Sequence, residues 1–530
     1  MLGSLPSELT IAVLSELDFR SLLIFRQVSR DSRALVDATP GLQYKIELAI
    51  AGMVDGPDSN MTTEERRRRL VTYQENWANL RWKQEEVLQA LDGDSDLWEL
   101  DGDVLALSGE SDSLSLRQLP GIARGKPSKT WKIKGVGPEF KDLRVDSTQD
   151  LVVLVEMLPP IHVGATSRIP CRCRIHTRSL STGEPHPAGL PVGYFISEPL
   201  NVRHQETQLH IHVLGDRLAI GFSTYHPHGY LCMWQWKVGA LEMCLQSIDD
   251  IEIHSFTFLT RDSFLLASMS GGRAGLSVHS LKDDVEDRER GLTPYFLYPN
   301  PPECDYCLSI RYLPTPLAPA GLSGSQAPFD LSPDSKIIAV MIKLFTPNGT
   351  VCWTHIIPVS VFLSLLHQSR SDHACVEWVD WASERTCLID NPFPSLHWTC
   401  CVSGSRFVTS TRIINQTGLH PHHHFEVSVY DFNQFAIRHD LAHGRRSGVT
   451  LASVVLLKLP DAESSDEDEY HALLGYSRYV TRLPYRKETV VIPPLSIGPY
   501  VFGTAMISKD SLILVDDDDE SKVGIAVLSF

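Results

Sequence analysis

The sequence lacks a long apolar run. A membrane-spanning helix needs roughly 18 or more consecutive apolar residues, whereas the apolar segments here are short and bounded by charges, as between Lys336 and Lys343. The N-terminal stretch carries Glu8, Glu16 and Asp18, so the apolar core of a secretory signal peptide is missing as well. We therefore expect no membrane partner and a location in the cytoplasm or the nucleus.

Basic residues are in the minority. The chain has 48 Lys and Arg against 65 Asp and Glu, a net charge of −17. Such a surface repels phosphate backbones, so we expect no nucleic-acid partner. The 11 Cys follow no disulfide-framework spacing, and we expect free thiols in a reducing compartment.

Motifs for catalysis and cofactor binding are scarce too. The sequence contains no Gly-x-Ser-x-Gly elbow and no phosphate-binding Gly-Lys-Ser/Thr loop. The histidines between His420 and His424 and the Cys304-x-x-Cys307 pair have no second set of ligands at zinc-site spacing. We predict no catalytic residue, no metal and no cofactor.

What the sequence does have is an apolar helical segment at its start. Pro6 suits the first turn of a helix, and Leu9, Val13 and Leu17 recur at helical spacing after it. Asp18 is a good N-cap for a second helix, and a third follows Ser29. About forty residues cannot bury a self-sufficient core, so some of this apolar surface must meet the rest of the chain or a partner.

The same segment resembles an F-box. The resemblance rests on Leu5-Pro6-x-Glu8-Leu9, Leu14-x-x-Leu17-Asp18, Leu22-Leu23 and Val28-Ser29-Arg30-x-x-Arg33-x-Leu35; Ser32 stands where the family often has Trp. It implies docking on the Skp-type adaptor of a cullin–RING ubiquitin ligase. Carried over from the motif, the adaptor-binding residues are Leu5, Pro6, Leu9, Leu14, Leu17, Leu22, Leu23 and Val28. The large region that follows resembles, more loosely, the C-terminal regions of fungal F-box proteins.

A connecting region separates this unit from the rest of the chain. Thr62 or Thr63 can cap a long helix that we predict to continue through Leu91. Its Arg66–Arg69 run is either the solvated side of that helix or a nuclear-import patch.

From Leu97 onward the pattern changes to short apolar runs between turn residues. Seven segments share a turn of Asp, Ser or Gly followed by a β-strand, and they begin at Leu100, Val145, Leu214, Leu259, Leu331, Val402 and Ile507. They predict a β-propeller of about seven degenerate blades, although two stacked β-sheets would also fit. A helix is expected within Pro358–Gln368.

The expected fold class is α+β multidomain: an F-box-like helical domain over 1–50, a linker with a long helix over 51–96 and a β-propeller-like domain over 97–530. The resemblance implies the substrate-recognition subunit of an SCF-type ubiquitin ligase, not itself an enzyme, with the adaptor and an unknown substrate protein as partners. The alternative is a non-catalytic scaffold whose N-terminal helices cap its own propeller. A third possibility is an enzyme built on the central channel.

Overall fold

The fold was analysed in a computed structural model. The structure describes residues 6–57, 60–88, 97–109, 112–136, 140–159, 170–202, 207–223, 229–247, 251–282, 294–299, 304–311, 327–346, 349–368, 375–390, 400–415, 422–458, 476–492, 502–516 and 524–530. Within these residues no helix is long and apolar enough to cross a membrane.

The chain begins with helices and one short strand: α1 (Ser7–Glu16), α2 (Phe19–Val28), α3 (Arg30–Ala38), α4 (Pro40–Ala51), β1 (Met53–Asp55) and α5 (Thr63–Ala78). Side-chain capping explains where α2 and α3 start. The Asp18 carboxylate accepts the N–H groups of Arg20 and Ser21 at the start of α2, and the Ser29 hydroxyl accepts the N–H of Ser32 in α3. The three predicted helices are therefore confirmed, together with Asp18 as a capping residue; the cap by Ser29 is an additional finding.

Helix α5 is shorter than the sequence pattern predicts. The Asn79 amide donates to the carbonyl of Glu75, and Leu80 adopts a left-handed φ of 47°, so the helix ends at Ala78. Gln84–Leu88 then forms strand β2. The prediction of a helix through Leu91 is wrong, because residues we assigned to its last turns pair with a distant strand.

Seven sheets of four main strands follow, and each forms one propeller blade. The strands are given from the first strand of each blade outward. Blade 1 contains β3 (Trp98–Asp101), β4 (Val104–Gly109), β5 (Ser113–Gln118) and β6 (Lys129–Lys134), and blade 2 contains β7 (Asp142–Asp146), β8 (Leu151–Leu158), β9 (Arg172–Ser179) and β10 (Tyr194–Ile196). Blade 3 contains β11 (Gln208–Leu214), β12 (Arg217–Ser223), β13 (Tyr230–Gln235) and β14 (Ala240–Gln246).

Blades 4 to 6 carry the insertions. Their strands are β15 (Ile251–Thr260), β16 (Ser263–Ser270), β17 (Arg273–Ser280) and β18 (Tyr295–Leu297); β19 (Asp305–Arg311), β21 (Ile337–Thr346), β22 (Gly349–Pro358) and β24 (Cys387–Asp390); and β25 (Val402–Ser403), β26 (Arg406–Asn415), β27 (His422–Asp431) and β31 (Tyr485–Ile492). The inserted elements are β20 (Phe329–Leu331), α6 (Val359–Gln368), β23 (Cys375–Val376), α7 (Trp378–Trp381), α8 (Gln434–Ala442), β28 (Val449–Thr450), β29 (Ser453–Lys458), β30 (Tyr476–Thr481) and a 3-10 turn over Pro333–Ser335.

Blade 7 closes the ring with strands from two distant parts of the chain, one before blade 1 and three after blade 6. Its strands β32 (Thr504–Ile507), β33 (Ser511–Asp516) and β34 (Gly524–Ser529) are completed by β2, which pairs antiparallel with β34 from Gln84↔Ser529 to Leu88↔Ile525. This strand lies before residue 97, where we predicted the β domain to begin. The closed ring therefore includes part of the segment that we assigned to the linker.

The predicted seven-bladed propeller is confirmed, and stacked sheets are excluded by the strand order. Each of the seven turn-and-strand segments falls in a different blade, although in blade 5 Leu331 belongs to the inserted β20 and the first strand is β19. The helix predicted within Pro358–Gln368 is present as α6. The spacing along the chain is irregular because blades 4 to 6 contain most of the extra elements.

One cysteine pair departs from the expectation of free thiols. Cys232 on β13 lies directly opposite Cys244 on β14, with Cα atoms 4.1 Å apart, and the structure joins them in a disulfide. Cross-strand register, which Cys spacing in the sequence does not reveal, is what brings these two residues together.

Candidate functional site

The N-terminal helices bury a small core of their own. Leu14 on α1 and Leu22 on α2 pack with Val36, Leu42 and Ile46 of α3 and α4, and all five are buried. Helix α4 lies outside the motif quoted above, and it supplies two of these five residues. The helical unit thus hides the inward face of its first two helices without help from the sheets.

Other apolar side chains of α1 and α2 remain in solvent. Leu9 and Val13 are 55% and 49% exposed, and Ile24 and Val28 are 66% and 71% exposed. Each pair is four residues apart, so its members lie about 40° apart around their helix. Ile24 and Val28 lie on the side of α2 roughly opposite the buried Leu22. We call these four residues the apolar face.

The structure separates the predicted adaptor-binding residues into three groups. Pro6, Leu9 and Val28 are exposed, while Leu17 and Leu23 are partly buried against the helical core. Leu14 and Leu22 are 1% and 0% exposed, so in this fold they support the unit and offer no surface to a partner. Leu5 lies outside the described residues. Val13 and Ile24 were not among the predicted contacts, although Val13 already belonged to the apolar stripe of α1.

Ion pairs hold α2 against α3. The Arg26 guanidinium donates to both carboxylate oxygens of Asp37 at 2.7 and 3.0 Å, and Arg33 lies 3.6 Å from the same carboxylate. The hydrogen bond from Arg26 lowers the pKa of Asp37. These contacts fix the two helices relative to each other.

A first set of contacts ties the helices to blade 6. The ring of Phe19 meets that of Phe435 on α8 edge-on, with centroids 5.1 Å apart, and the Arg20 guanidinium lies 5.8 Å from each ring. The Asn433 amide donates to the Ile50 carbonyl at 2.8 Å. The α8 insertion therefore acts as a support for α2 and α4.

A second set runs through β1, which pairs antiparallel with β20 of blade 5. The Tyr44 hydroxyl donates to Asp55 at 3.0 Å and to the Pro328 carbonyl at 3.1 Å. Burial and the neighbouring Asp55 raise the pKa of Tyr44. Arg66 donates to Asp55 at 2.7 Å.

The predicted alternatives for the arginine run can now be compared with its contacts. Arg66 is buried, Arg67 donates to Glu47 of α4 at 2.8 to 3.0 Å, and Arg68 and Arg69 both pair with Glu65. The run is therefore engaged in ion pairs within the helical unit. Solvent exposure varies along it, from the buried Arg66 to Arg68, whose side chain is 74% exposed, and the nuclear-import interpretation stays a prediction.

A third set joins α5 to blades 6 and 7. The Tyr73 hydroxyl donates to the Lys509 carbonyl at 2.6 Å and accepts from Arg406 at 3.1 Å. Trp77 stacks on Phe530 with centroids 4.0 Å apart, and Arg406 lies 4.5 Å from its ring. Helix α5 is therefore part of the propeller core, and the apolar face is held in a fixed orientation.

The helices occupy one face of the propeller, which we call the proximal face. It carries the turns between the first and second strands of each blade, such as Gly102 in blade 1 and Lys509 in blade 7. The distal face carries the turns between second and third strands, such as Gly271–Gly272 in blade 4.

Charged side chains also lie between the first strands around the central channel. Glu99 pairs with Arg144, and burial raises the pKa of Glu99 to about 8. Burial, with a contribution from Arg311, lowers the pKa of His210 to about 4, so this imidazole is neutral near pH 7. Among the described residues, no group of three His, Cys, Asp or Glu side chains is arranged to hold a metal ion.

Comparison with known proteins adds one domain assignment. Residues 2–41 match the F-box domain family. The comparison with curated proteins found no significant match. The helices α1 to α3 and the start of α4 therefore form an F-box, followed by the propeller.

Solved structures give low-similarity matches. The WD40 domain of SCAP from fission yeast is 7% identical with a TM-score of 0.30, and the match covers 85% of this chain and 98% of that one. Oligopeptidase B from Leishmania major is 11% identical with a TM-score of 0.23, over 68% and 46%. An uncharacterized protein from Listeria monocytogenes is 8% identical with a TM-score of 0.24, over 57% and 79%. None of these TM-scores reaches 0.5, so the fold rests on the strand pairing described above.

Proposed function

We propose that this chain, whose N-terminal helices form an F-box and whose remaining sheets form a seven-bladed β-propeller, is the substrate receptor of an SCF-type ubiquitin ligase. The F-box would bind the Skp-type adaptor, and the propeller would bind a substrate protein. The chain itself would be non-catalytic. It would act in the cytoplasm or the nucleus, where the other ligase subunits would also have to be.

The apolar face is the observation that carries this proposal. Four large apolar side chains on α1 and α2 are about half exposed or more, whereas Leu14 and Leu22 on the same two helices are buried in the helical core. A stable interface covers roughly 800 Å² on each partner, and a few buried apolar anchors provide most of its binding energy. Leu9, Val13, Ile24 and Val28 are the anchors that this fold leaves available.

The rigid connection between the two parts supports a receptor role. A ligase gains rate by holding a substrate lysine near the loaded ubiquitin, which is a gain in effective concentration. Contacts through α8, β1 and α5 fix the F-box on the proximal face. A substrate bound to the propeller would therefore stay at a defined distance from the adaptor.

The distal face is where we propose that the substrate binds. Ile251, Phe345 and Ile413 are exposed near the distal ends of their strands in blades 4, 5 and 6. This face points away from the helices, so substrate and adaptor would not compete for the same surface. Affinity capture from cells with and without proteasome inhibition, using wild type and Phe345→Asp, should show proteins that accumulate on the wild-type chain alone.

The adaptor prediction can be tested on the apolar face directly. We expect Leu9→Asp combined with Val28→Lys to abolish co-purification with the Skp-type adaptor, because both changes place a charge where the partner's apolar surface would be. The negative charge of the new Asp lies near the N-terminus of α1 and the positive charge of the new Lys lies at the C-terminus of α2. Both charges interact favourably with the helix dipole, so helix stability is preserved. Both positions are more than half exposed, and the free energy of unfolding should change by less than about 0.5 kcal/mol.

Val379→Lys provides the matched control. Val379 is 69% exposed, close to the 71% of Val28, but it lies on α7 in the propeller. This variant should bind the adaptor as wild type does. Equal adaptor binding by wild type and the Leu9/Val28 variant would refute the assignment of the apolar face.

A scaffold with self-capping helices is the second candidate. It is favoured by one observation: α4 and α5 share a hydrophobic core with blades 6 and 7 that includes Tyr44, Trp77 and Phe530. The two candidates differ in their adaptor affinity. A wild-type chain that folds but binds no Skp-type adaptor would leave the scaffold as the function.

A further inference from the structure

A small cavity lies on the proximal face, where the turns of five blades converge. Its lining includes Gly102 of blade 1, Thr148 of blade 2, Lys336 of blade 5, Gly404 of blade 6 and Lys509 of blade 7. Its volume is about 60 Å³, and a single water needs roughly 10 to 15 Å³ of such space. The cavity therefore has room for a compact group of about four or five heavy atoms.

Two lysines contribute to this cavity. Lys336 is only 9% exposed, and the side chain of Lys509 is 15% exposed. Lys509 donates to both carboxylate oxygens of Asp330 at 2.8 and 3.0 Å. Burial and the neighbouring Lys509 lower the pKa of Lys336 to about 8, so Lys336 is largely protonated at pH 7.

The carboxylates near the cavity are already engaged. Asp101 accepts the N–H and the hydroxyl of Ser147, both at 2.9 Å, and lies 3.9 Å from Arg144. Burial raises the pKa of Asp101. Asp330 is bound by Lys509 and also lies 3.4 Å from Arg124. A cation in the cavity would meet two ammonium groups, whereas an anion would relieve their repulsion.

Ser508 also lines the cavity and carries a hydroxyl group. The Ser508 oxygen accepts the N–H groups of Asp510 and Ser511 at 3.4 and 3.1 Å. Its acceptor capacity is thus used by the backbone, and its own proton is available for a ligand. The hydroxyls of Ser147 and Thr148, in contrast, already donate to Asp101 and Asp146.

We propose that this cavity binds one phosphate-type oxyanion, held by the ammonium groups of Lys336 and Lys509 and by the Ser508 hydroxyl. A tetrahedral phosphate has five heavy atoms and accepts several hydrogen bonds at once. The ligand is either free phosphate or the phosphate of a phosphorylated side chain that reaches the proximal face. The site is separate from the apolar face, and its test does not depend on adaptor binding.

Isothermal titration of the full-length chain at pH 7, at constant ionic strength, tests the site with inorganic phosphate and with N-acetyl-phosphoserine amide as two probes. We expect one saturable site per chain for at least one of them. Binding of the ester would indicate that the site accepts a phosphorylated side chain, and binding of inorganic phosphate alone would indicate a site for the free ion. Absence of saturable binding of both probes would overturn the proposal.

Lys336→Met should weaken binding by about tenfold or more, because one charge-assisted hydrogen bond is lost. Lys343→Met is the matched control, since Lys343 lies on strand β21, which begins directly after Lys336, but outside the cavity lining, and it should bind as wild type does. Equal affinities for wild type and Lys336→Met would also overturn the proposal.

A measurement on wild type alone protects the test against a variant that folds poorly. Binding of an anion beside Lys336 must raise the pKa of that lysine, and ¹³C NMR of the lysine Cε resonance reports it directly. Affinity should correspondingly fall between pH 7 and about pH 9.5, as Lys336 loses its proton. A Lys336 pKa that does not change at saturating phosphate would contradict direct contact.

Discussion

Helix α5 offers the sharpest test of how the F-box is joined to the propeller. Trp77 is 3% exposed, stacks on Phe530 and lies under the Arg406 guanidinium. Replacing a buried Trp by Ala in a packed core costs about 3–5 kcal/mol. We expect Trp77→Ala to fall near the upper end of that range, because it also removes the cation–π contact of a buried arginine, which is worth up to about 2 kcal/mol.

Urea unfolding followed by far-UV circular dichroism and by fluorescence measures this cost. Trp77→Phe is the matched control: it keeps an aromatic ring against Phe530, and the indole Nε1 that it removes has no hydrogen-bond partner among the described residues. Its cost should be only about 1–2 kcal/mol. If Trp77→Ala changed the free energy of unfolding by less than about 1 kcal/mol, α5 would be a loosely attached linker and the argument for rigid coupling would fail.

Two further stability predictions concern buried charges. Arg124→Met should lower the free energy of unfolding in urea by about 3–5 kcal/mol, because the carboxylates of Asp510 and Asp103, with side chains 1% and 7% exposed, lose their guanidinium partner. Adding Asp510→Asn should recover part of that loss. A cost of Arg124→Met below about 1 kcal/mol would contradict the ion pairs of Arg124 with Asp510 and Asp103. Lys336 has a folded-state pKa of about 8, below its ordinary 10.5, so the unfolded chain binds more protons between these values and stability rises with pH there. In phosphate-free buffer Lys336→Met should therefore be more stable than wild type at pH 7, by up to about 3 kcal/mol for this pKa difference, and an advantage that did not shrink as the pH approached 10.5 would refute the burial argument.

Local chemistry accounts for the parts of the fold that could be predicted. Asp18 and Ser29 cap helices through hydrogen bonds to N–H groups two or three residues away, so sequence neighbours suffice to predict them. The seven turns were recognisable for a similar reason. Gly102 and Gly404, for example, adopt left-handed φ values of 57° and 61° between paired strands, a conformation that glycine adopts readily.

Long-range pairing accounts for the errors. Gln84–Leu88 has no strong strand pattern, and its structure is decided by pairing with β34 at the other end of the chain. The disulfide between Cys232 and Cys244 likewise depends on the register of two strands. Neither feature has a signal within a short window of sequence.

The exposure of the predicted adaptor-binding residues differs from one residue to the next, for a reason that lies in α4. The F-box resemblance named leucines by position in the motif, without stating which side of each helix would meet α4. Leu42 and Ile46 cover Leu14 and Leu22. The four residues of the apolar face, which lie beside Leu14 on α1 and opposite Leu22 on α2, remain exposed to solvent. A motif can therefore identify a helical segment while the packing of a later helix decides which of its residues remain exposed.

The three connections between the helices and the propeller use different types of interaction, so a change of salt concentration affects each of them differently. Contacts through α8 are aromatic and partly exposed, those through β1 combine backbone pairing with the Asp55 ion pair, and those through α5 are buried in the core of blades 6 and 7. Salt weakens the ion pair but strengthens apolar burial. A change of salt concentration therefore does not weaken all three connections together. We expect the apolar face to keep its orientation until blade 7 itself unfolds, because α5 and β2 join the helices to that blade.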